Sequence, residues 1–409
     1  MKEKNFVLVT QYYPPEIGGG SQRSVGFVEE LSKLGLKVTV VTPFPSYLMK
    51  KEEAGTKLKL YEKREDNGVT VYRTFVYASD RGSFLKRILY YLSFTFSSTL
   101  VSLFKIRKID YLLTISPPLF TGITGIILKK LKKAKFIFDI GDLWPESAIQ
   151  LGFLKNKRVI TLAEKLERSI YSNSDIVNTV TRLTQNKVKN LHPYIKKILY
   201  IPNFVNGEVI KKAPKNDALL KELNLEGKFV IGYAGNIGSA QGLRIMTQAA
   251  VCTKQNTEVV YLIIGDGVDR PDLEEDIRKN DLSNVMLLPP VSREEIVKYI
   301  SLFDVMVIPL VKNDLFRITI PSKLYESMAA EIPVLLSVDG EARKILESAN
   351  CGLYVEPENH EMLAQKILEL FSNRSLVEEL GKNGRKRAEE EFDRSKVMMN
   401  FYEALNSHE

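Results

Sequence analysis

Short apolar runs alternate with helical stretches along the whole chain, and near residue 228 the series stops and begins again. In the first half the strand-like runs fall at 6–10, 38–42, 69–74, 111–115, 136–140, 176–180 and 198–201, and a helical pattern at 22–34 stops at Gly35. In the second half they fall at 229–234, 259–264, 285–288, 305–309 and 334–337, with helical patterns at 243–254, 272–279, 293–299 and 322–330. Strands spaced by helices in this way form a parallel sheet covered on both faces. The expected architecture is therefore α/β: two tandem Rossmann-like, doubly wound parallel sheets with a cleft between them. Residues 203–225, with Pro214 and several Lys, Asn and Asp, read as the linker. A chain of 409 residues also exceeds one ordinary core.

Composition removes several classes. Two cysteines far apart, Cys252 and Cys351, form no CxxC and exclude a disulfide scaffold or zinc module. They suit a reducing, cytoplasmic location, and the first ten residues run into a strand pattern with no signal-peptide h-region. Charge is unevenly placed: residues 1–200 carry a balance of +16, residues 201–409 one of −8. The first half is thus expected to meet an anionic surface. Nucleic acid is disfavoured, because the lysines at Lys129, Lys130, Lys132, Lys133 and Lys135 have little aromatic interleaving.

Residues 88–104 hold no charge, and Arg81, Lys86 and Arg87 precede them while Lys105, Arg107 and Lys108 follow. Seventeen residues, six of them Ser or Thr, fall short of a bilayer span. An amphipathic helix with a basic collar is expected, packed on the sheet or dipping into a membrane interface with Tyr90, Tyr91 and Phe94 toward lipid.

Glycine-bearing loops close several strands. Gly18, Gly19 and Gly20 follow the first one, where backbone N–H groups at a helix start approach a phosphate or sugar. The pattern is not GxGxxG, and no acidic residue follows Val41-Thr42-Pro43 to hold a ribose, which disfavours a nicotinamide dehydrogenase. In the second half, Gly232-Tyr233-Ala234-Gly235-Asn236-Ile237-Gly238 leads through Gln241 into a helix, and Gly265-Asp266-Gly267 ends the next strand. Pro321-Ser322-Lys323 opens a further helix whose free N–H groups suit a diphosphate, with Lys323 adding charge. One turn on, Glu326 can accept two ribose hydroxyls. No Asp-x-Asp or His/Asp cluster with metal spacing is present, so neither a metal nor another cofactor is expected.

These motifs, with Glu326-Ser327-Met328-Ala329-Ala330 before Pro333-Val334, resemble glycosyltransferase family four, of GT-B fold, over nearly the whole chain. Asp139-Ile140-Gly141-Asp142-Leu143-Trp144-Pro145-Glu146-Ser147 and Pro321-Ser322-Lys323 resemble a branch that includes the N-acetyl-fucosamine transferases of O-antigen and capsule synthesis. The resemblance implies a metal-independent, retaining enzyme. It moves an N-acetylated or deoxy hexose from a UDP-linked donor to a polyprenyl-diphosphate-linked saccharide, on the cytoplasmic face of the membrane. It implies an acceptor-binding domain at 1–204, a nucleotide-sugar domain at 205–388, and a helix at 389–409 packing back on the first. Donor contacts fall to Gly19, Gly20, Tyr233, Gly235, Asn236, Gly238, Gln241, Gly265, Asp266, Gly267, Pro321, Ser322 and Glu326.

The chain departs from the family in three places. The first Glu of the Glu-x7-Glu pair is Ile318, and the glycine-loop Arg and Lys are Asn236 and Gln241. Of His192, His360 and His408, none ends a central strand of the first half. Asp142 or Asp139 is then expected at the reacting centre, and Arg317 or Lys323 as the phosphate cation. The alternatives are a UDP-N-acetylglucosamine 2-epimerase-like enzyme and a non-catalytic sugar-nucleotide-binding subunit.

Overall fold

The protein is described by a computed structural model covering residues 4–16, 18–45, 59–77, 84–150 and 152–407. It divides into two compact units, Met1–Asn203 with Val397–Glu409, and Phe204–Lys396.

The first unit runs β1 (Asn5–Val9), α1 (Gly19–Lys33), β2 (Lys37–Pro43), β3 (Tyr61–Asp66), β4 (Val69–Thr74), α2 (Phe84–Lys105), β5 (Tyr111–Ser116), α3 (Thr121–Lys132), β6 (Lys135–Ile140), α4 (Glu146–Gln150), α5 (Lys157–Asn173), β7 (Ile176–Thr179), α6 (Arg182–Leu191) and β8 (Ile198–Tyr200). Its sheet has the order β3-β4-β2-β1-β5-β6-β7-β8. Only β3 is antiparallel, paired with β4. Strands β5 and β7 are buried at every residue, as their unbroken apolar or small-polar character requires when helices cover both faces.

β3 was not expected from the sequence. Tyr61-Glu62-Lys63-Arg64-Glu65-Asp66 has no apolar run because it is an exposed edge strand, where charge blocks further pairing. Asn67-Gly68, both at positive φ, makes the two-residue turn to β4.

α2 is a second correction. Tyr90 and Phe94, expected toward lipid, are fully buried, and Tyr91 is half-buried. The helix packs on α3, β2 and β4, and its phase turns the Tyr90–Phe94 side inward. Among the described residues no helix is long and apolar enough to cross a membrane. Arg81 lies outside the described residues.

Glu167 of α5 carries a pH effect on stability. It is half-buried and accepts the Tyr171 hydroxyl at 2.9 Å. Burial pushes its carboxyl up to about 7 from an ordinary 4.5, with the Glu146 and Glu164 charges adding to the rise. The folded chain therefore keeps a proton that the unfolded chain has released, and stability drains as pH climbs from about 4.5 to about 7. A Glu167→Gln protein is expected to match wild type in thermal midpoint near pH 4.5 and to exceed it at pH 8. Parallel pH–midpoint curves for the two proteins would refute this.

The second unit runs α7 (Asp217–Glu222), β9 (Phe229–Ala234), α8 (Arg244–Thr253), β10 (Val259–Ile264), α9 (Arg270–Lys279), β11 (Val285–Leu288), α10 (Arg293–Ile300), β12 (Val305–Pro309), a 3-10 turn (Asp314–Ile318), α11 (Ser322–Ala329), β13 (Val334–Ser337), α12 (Glu341–Ala349), β14 (Gly352–Tyr354), α13 (His360–Ser372), α14 (Arg374–Arg387) and a π segment (Ala388–Phe392). The sheet order is β11-β10-β9-β12-β13-β14, and every pairing is parallel. Along β10 the side chains divide by the two-residue period of a strand: Val260, Leu262 and Ile264 enter one core, Val259, Tyr261 and Ile263 the other. A final helix, α15 (Arg394–Asn406), carries the chain back to the first unit, where Phe401 meets Phe27 edge-on at 5.1 Å.

Candidate functional site

In the first unit, α1 begins at the glycines after β1. Its N-cap is Gly18, with no side-chain cap, and a Cβ on Gly18 or Gly19 would meet nothing within 4 Å. Gly20 lies against the Tyr12 ring. Uncapped helix N–H groups with open space above them form an anion-accepting end. The amide of Gln11 and the hydroxyl of Ser21 are buried, and neither has a hydrogen-bond partner among the described residues.

The two aspartates of the β6 end separate sharply. Asp139 is wholly buried, and both its oxygens are taken at 2.7 Å by Nε and Nη2 of Arg23. The same guanidinium donates to the carbonyls of Ile201 and Pro202, each at 3.0 Å. Asp139 is thus engaged in holding α1 and the end of the unit, with no surface left for a substrate. Asp142, three residues on and past the strand end, is half-buried. Burial raises its carboxyl above the ordinary value, and Glu146 adds to the rise, while hydrogen bonds from Ser147 and the Leu143 N–H oppose it. Glu146 pairs with Lys187 and accepts from Gln150. Arg23 received no role from the sequence, because a lone arginine on a helix reads as surface. Its burial appears only once β6 is placed beneath α1.

In the second unit three loops meet at strand ends. The backbone of the β9 loop lies directly on that of the β10 loop. A Cβ on Gly265 would stand 1.8 Å from the Gly235 carbonyl oxygen, and one on Gly267 2.2 Å from that of Ile237. Only glycine permits this approach. It is tied by Gly235 N–H to the Ile264 carbonyl and Ile237 N–H to the Asp266 carbonyl, each 2.8 Å. Gln241 accepts from the Asn236 amide at 3.1 Å and the Gly238 N–H at 3.2 Å, so these residues brace the loop. Arg270, another residue the sequence did not single out, anchors it from behind through the Gly265 and Leu288 carbonyls.

The start of α11 completes the group. Lys323 lays its Nζ 5.1 Å from the Tyr233 ring centroid, beside Gly235, where a Cβ would come within 2.7 Å. Tyr233 is buried and donates to the Asn236 carbonyl at 2.6 Å. Burial lowers the Lys323 amine from its ordinary value, and Glu326 partly offsets this. Among the described residues Lys323 makes no ion pair or hydrogen bond. Arg317, the other candidate cation, is largely exposed and faces Asp339 at 3.6 Å and Asp314 at 3.8 Å. The structure thus brings Tyr233, Gly235, Asn236, Gly238, Gln241, Gly265, Gly267 and Lys323 together and turns Arg317 toward carboxylates.

Two α/β units of mostly parallel sheet, with glycine-bearing loops at their strand ends, are the architecture of the GT-B fold. Residues 18–203 match the glycosyl transferase 4-like domain and residues 215–387 match glycosyl transferases group 1, and the chain belongs to glycosyltransferase family four. It is similar to the putative colanic acid biosynthesis glycosyl transferase WcaI of Escherichia coli, 27% identical over 95% of this chain and 96% of that one. The capsular polysaccharide biosynthesis glycosyltransferase CapM of Staphylococcus aureus is 24% identical over 90% and 89%. Among solved structures, HepE from Anabaena in complex with UDP superposes with a TM-score of 0.72 at 15% identity, covering 99% of this chain and all of that one.

Proposed function

We propose that this glycosyltransferase moves a sugar from a UDP-linked donor to a lipid-linked saccharide during synthesis of a cell-surface polysaccharide. The observation that carries the donor side is the Lys323 ammonium, half-buried against Gly235 and Tyr233 with no ion pair or hydrogen bond among the described residues, although the Glu326 charge acts on it from one turn on. An amine held in that state is relieved by a phosphate, and the α11 N-terminus beside it adds positive potential. The diphosphate would lie between these groups and the β9 and β10 loops, with Ser322 and the Gly238 backbone as further donors. Glu326, one turn into α11, would accept ribose hydroxyls, and Asp266 would lie at the loop edge. The names of the WcaI and CapM relatives support a polysaccharide acceptor, and HepE, bound to UDP, supports the base.

Charge develops on the departing UDP oxygens, so fixed cations and N–H dipoles lower the barrier without a metal. Asp142, held at a raised pKa past the end of β6, would take the acceptor proton. Retention of the anomeric configuration, and an N-acetylated or deoxy hexose as the sugar, belong to the same reading.

Purified protein incubated with a panel of UDP-sugars, with and without a polyprenyl-diphosphate-sugar, is expected to release UDP and lengthen the lipid in one pairing. Release from no pairing would overturn the reading. Glu326→Ala is expected to weaken UDP binding by ~1–3 kcal/mol, the worth of hydrogen bonds to a charged acceptor. Unchanged calorimetric affinity in the folded variant would remove Glu326 from the ribose.

A further inference from the structure

Helix α2 sends large apolar side chains to both of its sides. Its buried side combines Tyr90, Phe94 and Val101 with a run of hydroxyls: Thr95, Ser97, Ser98, Thr99 and Ser102 are all buried. Ser97 bonds to Thr74 at 3.1 Å and to the Phe75 carbonyl at 2.6 Å, and Thr99 meets Thr124 of α3 at 2.9 Å. Its outward side carries Leu89, Leu92, Phe96, Leu100 and Phe104, with Phe96 68% and Phe104 78% exposed. An ordinary surface helix places polar residues where these five apolar ones stand. At 100° per residue, the spacing 89, 92, 96, 100, 104 confines the five side chains to an arc of about 120°, over a length of about 22 Å.

Along the helix and its flanks to residue 108 the charge is of one sign, and Lys108 is met by Asp110 at 2.6 Å. Residues 84–108 contain no Asp or Glu, and five cations: Lys86, Arg87, Lys105, Arg107 and Lys108. The neighbouring α3 also lacks acidic residues, and ends in Lys129, Lys130 and Lys132 beside the exposed Leu131. A second copy docking on this face would set its own cations against these. An anionic bilayer instead takes the Leu and Phe side chains into its interface and places headgroups at the lysines and arginines on both ends.

We infer that α2 lies in the plane of an anionic membrane, inserted through Leu89, Leu92, Phe96, Leu100 and Phe104. The inference stands on the helix itself, and deepens the reading of a lipid-linked acceptor by assigning the surface that meets the lipid.

The test is flotation of the full chain with vesicles of phosphatidylcholine and phosphatidylglycerol at 7:3, in low and high salt. Wild type is expected to float with these vesicles at low salt and not with pure phosphatidylcholine. Leu92→Asp/Phe96→Asp should cut the bound fraction at least tenfold. Lys105→Glu/Arg107→Glu should do so at low salt, where the exposed charges are least screened. Circular dichroism and UDP affinity should be unchanged in both variants, since these side chains lie at the surface. Wild type that fails to float, or variants that float equally well, would overturn the inference. So would a dimer in light scattering that Phe96→Asp dissolves, since that assigns the face to protein. Wild type that elongates the lipid acceptor in detergent but does not float defeats the docking alone. Wild type that floats yet releases no UDP from any donor defeats the transferase reading alone.

Discussion

Asp142→Asn is expected to lower turnover by ~10²–10⁴-fold, the usual worth of a positioned general base, while leaving UDP affinity as it was. The case begins with which carboxylate is accessible. Asp139 is closed off by Arg23 on both oxygens, whereas Asp142 retains partial exposure past the same strand. A general base also has to hold its proton well enough to matter, and burial raises the Asp142 carboxyl in that direction. Because the base acts deprotonated, kcat/KM should rise with pH through an apparent pKa above the ordinary 3.8 of an aspartate, and the asparagine variant should lose that limb. Steady-state kinetics paired with calorimetry decides it. Near-normal turnover in the variant moves the role away from Asp142, with Glu146 the next carboxylate along the same loop.

The second large effect is on stability. Arg23→Met leaves the Asp139 carboxylate with no exposure and no counter-charge, an arrangement that costs about 3–5 kcal/mol. In a unit of this size that lowers the apparent melting midpoint by about 10 °C. Adding Asp139→Leu should restore much of the loss, since two apolar groups bury more cheaply than one orphaned charge. Recovery stays incomplete because the carbonyls of Ile201 and Pro202 also lose a donor. Thermal scans of the two single variants and the double variant close the cycle. A midpoint unmoved by Arg23→Met would show that the pair contributes nothing.

Where both faces of a strand are covered, the sequence shows it plainly. Val259–Ile264 is apolar throughout because alternate residues feed two cores, and no competing pattern explains such a run. Legibility fails where a residue's role depends on what folds against it. β3 carries its sense in pairing with β4, and its charges mask it. Residues 88–104 show that a helix is present, but an uncharged stretch gives little indication of its phase, and so Tyr90 and Phe94 were turned the wrong way. The Asp139/Asp142 choice was likewise open in the sequence. Two carboxylates three residues apart look equivalent until α1 delivers Arg23 to one of them. Lys323 could be named as a cation from its motif, but its place against the Gly235–Tyr233 floor is a property of the fold.

The first unit draws its last helix from the end of the chain. Lys135 and Lys197 donate to the carbonyls of Leu405 and Ala404, and the Tyr111 hydroxyl donates to Asn406 at 3.0 Å. A ribosome therefore finishes the second unit before it releases the piece that the first one lacks. During synthesis the amino-terminal sheet waits, with Phe27 uncovered, through the translation of nearly two hundred residues. Truncations that remove the residues from Val397 on should then act as lesions of the half made first, and a chaperone acting on this chain would have its longest task with that half.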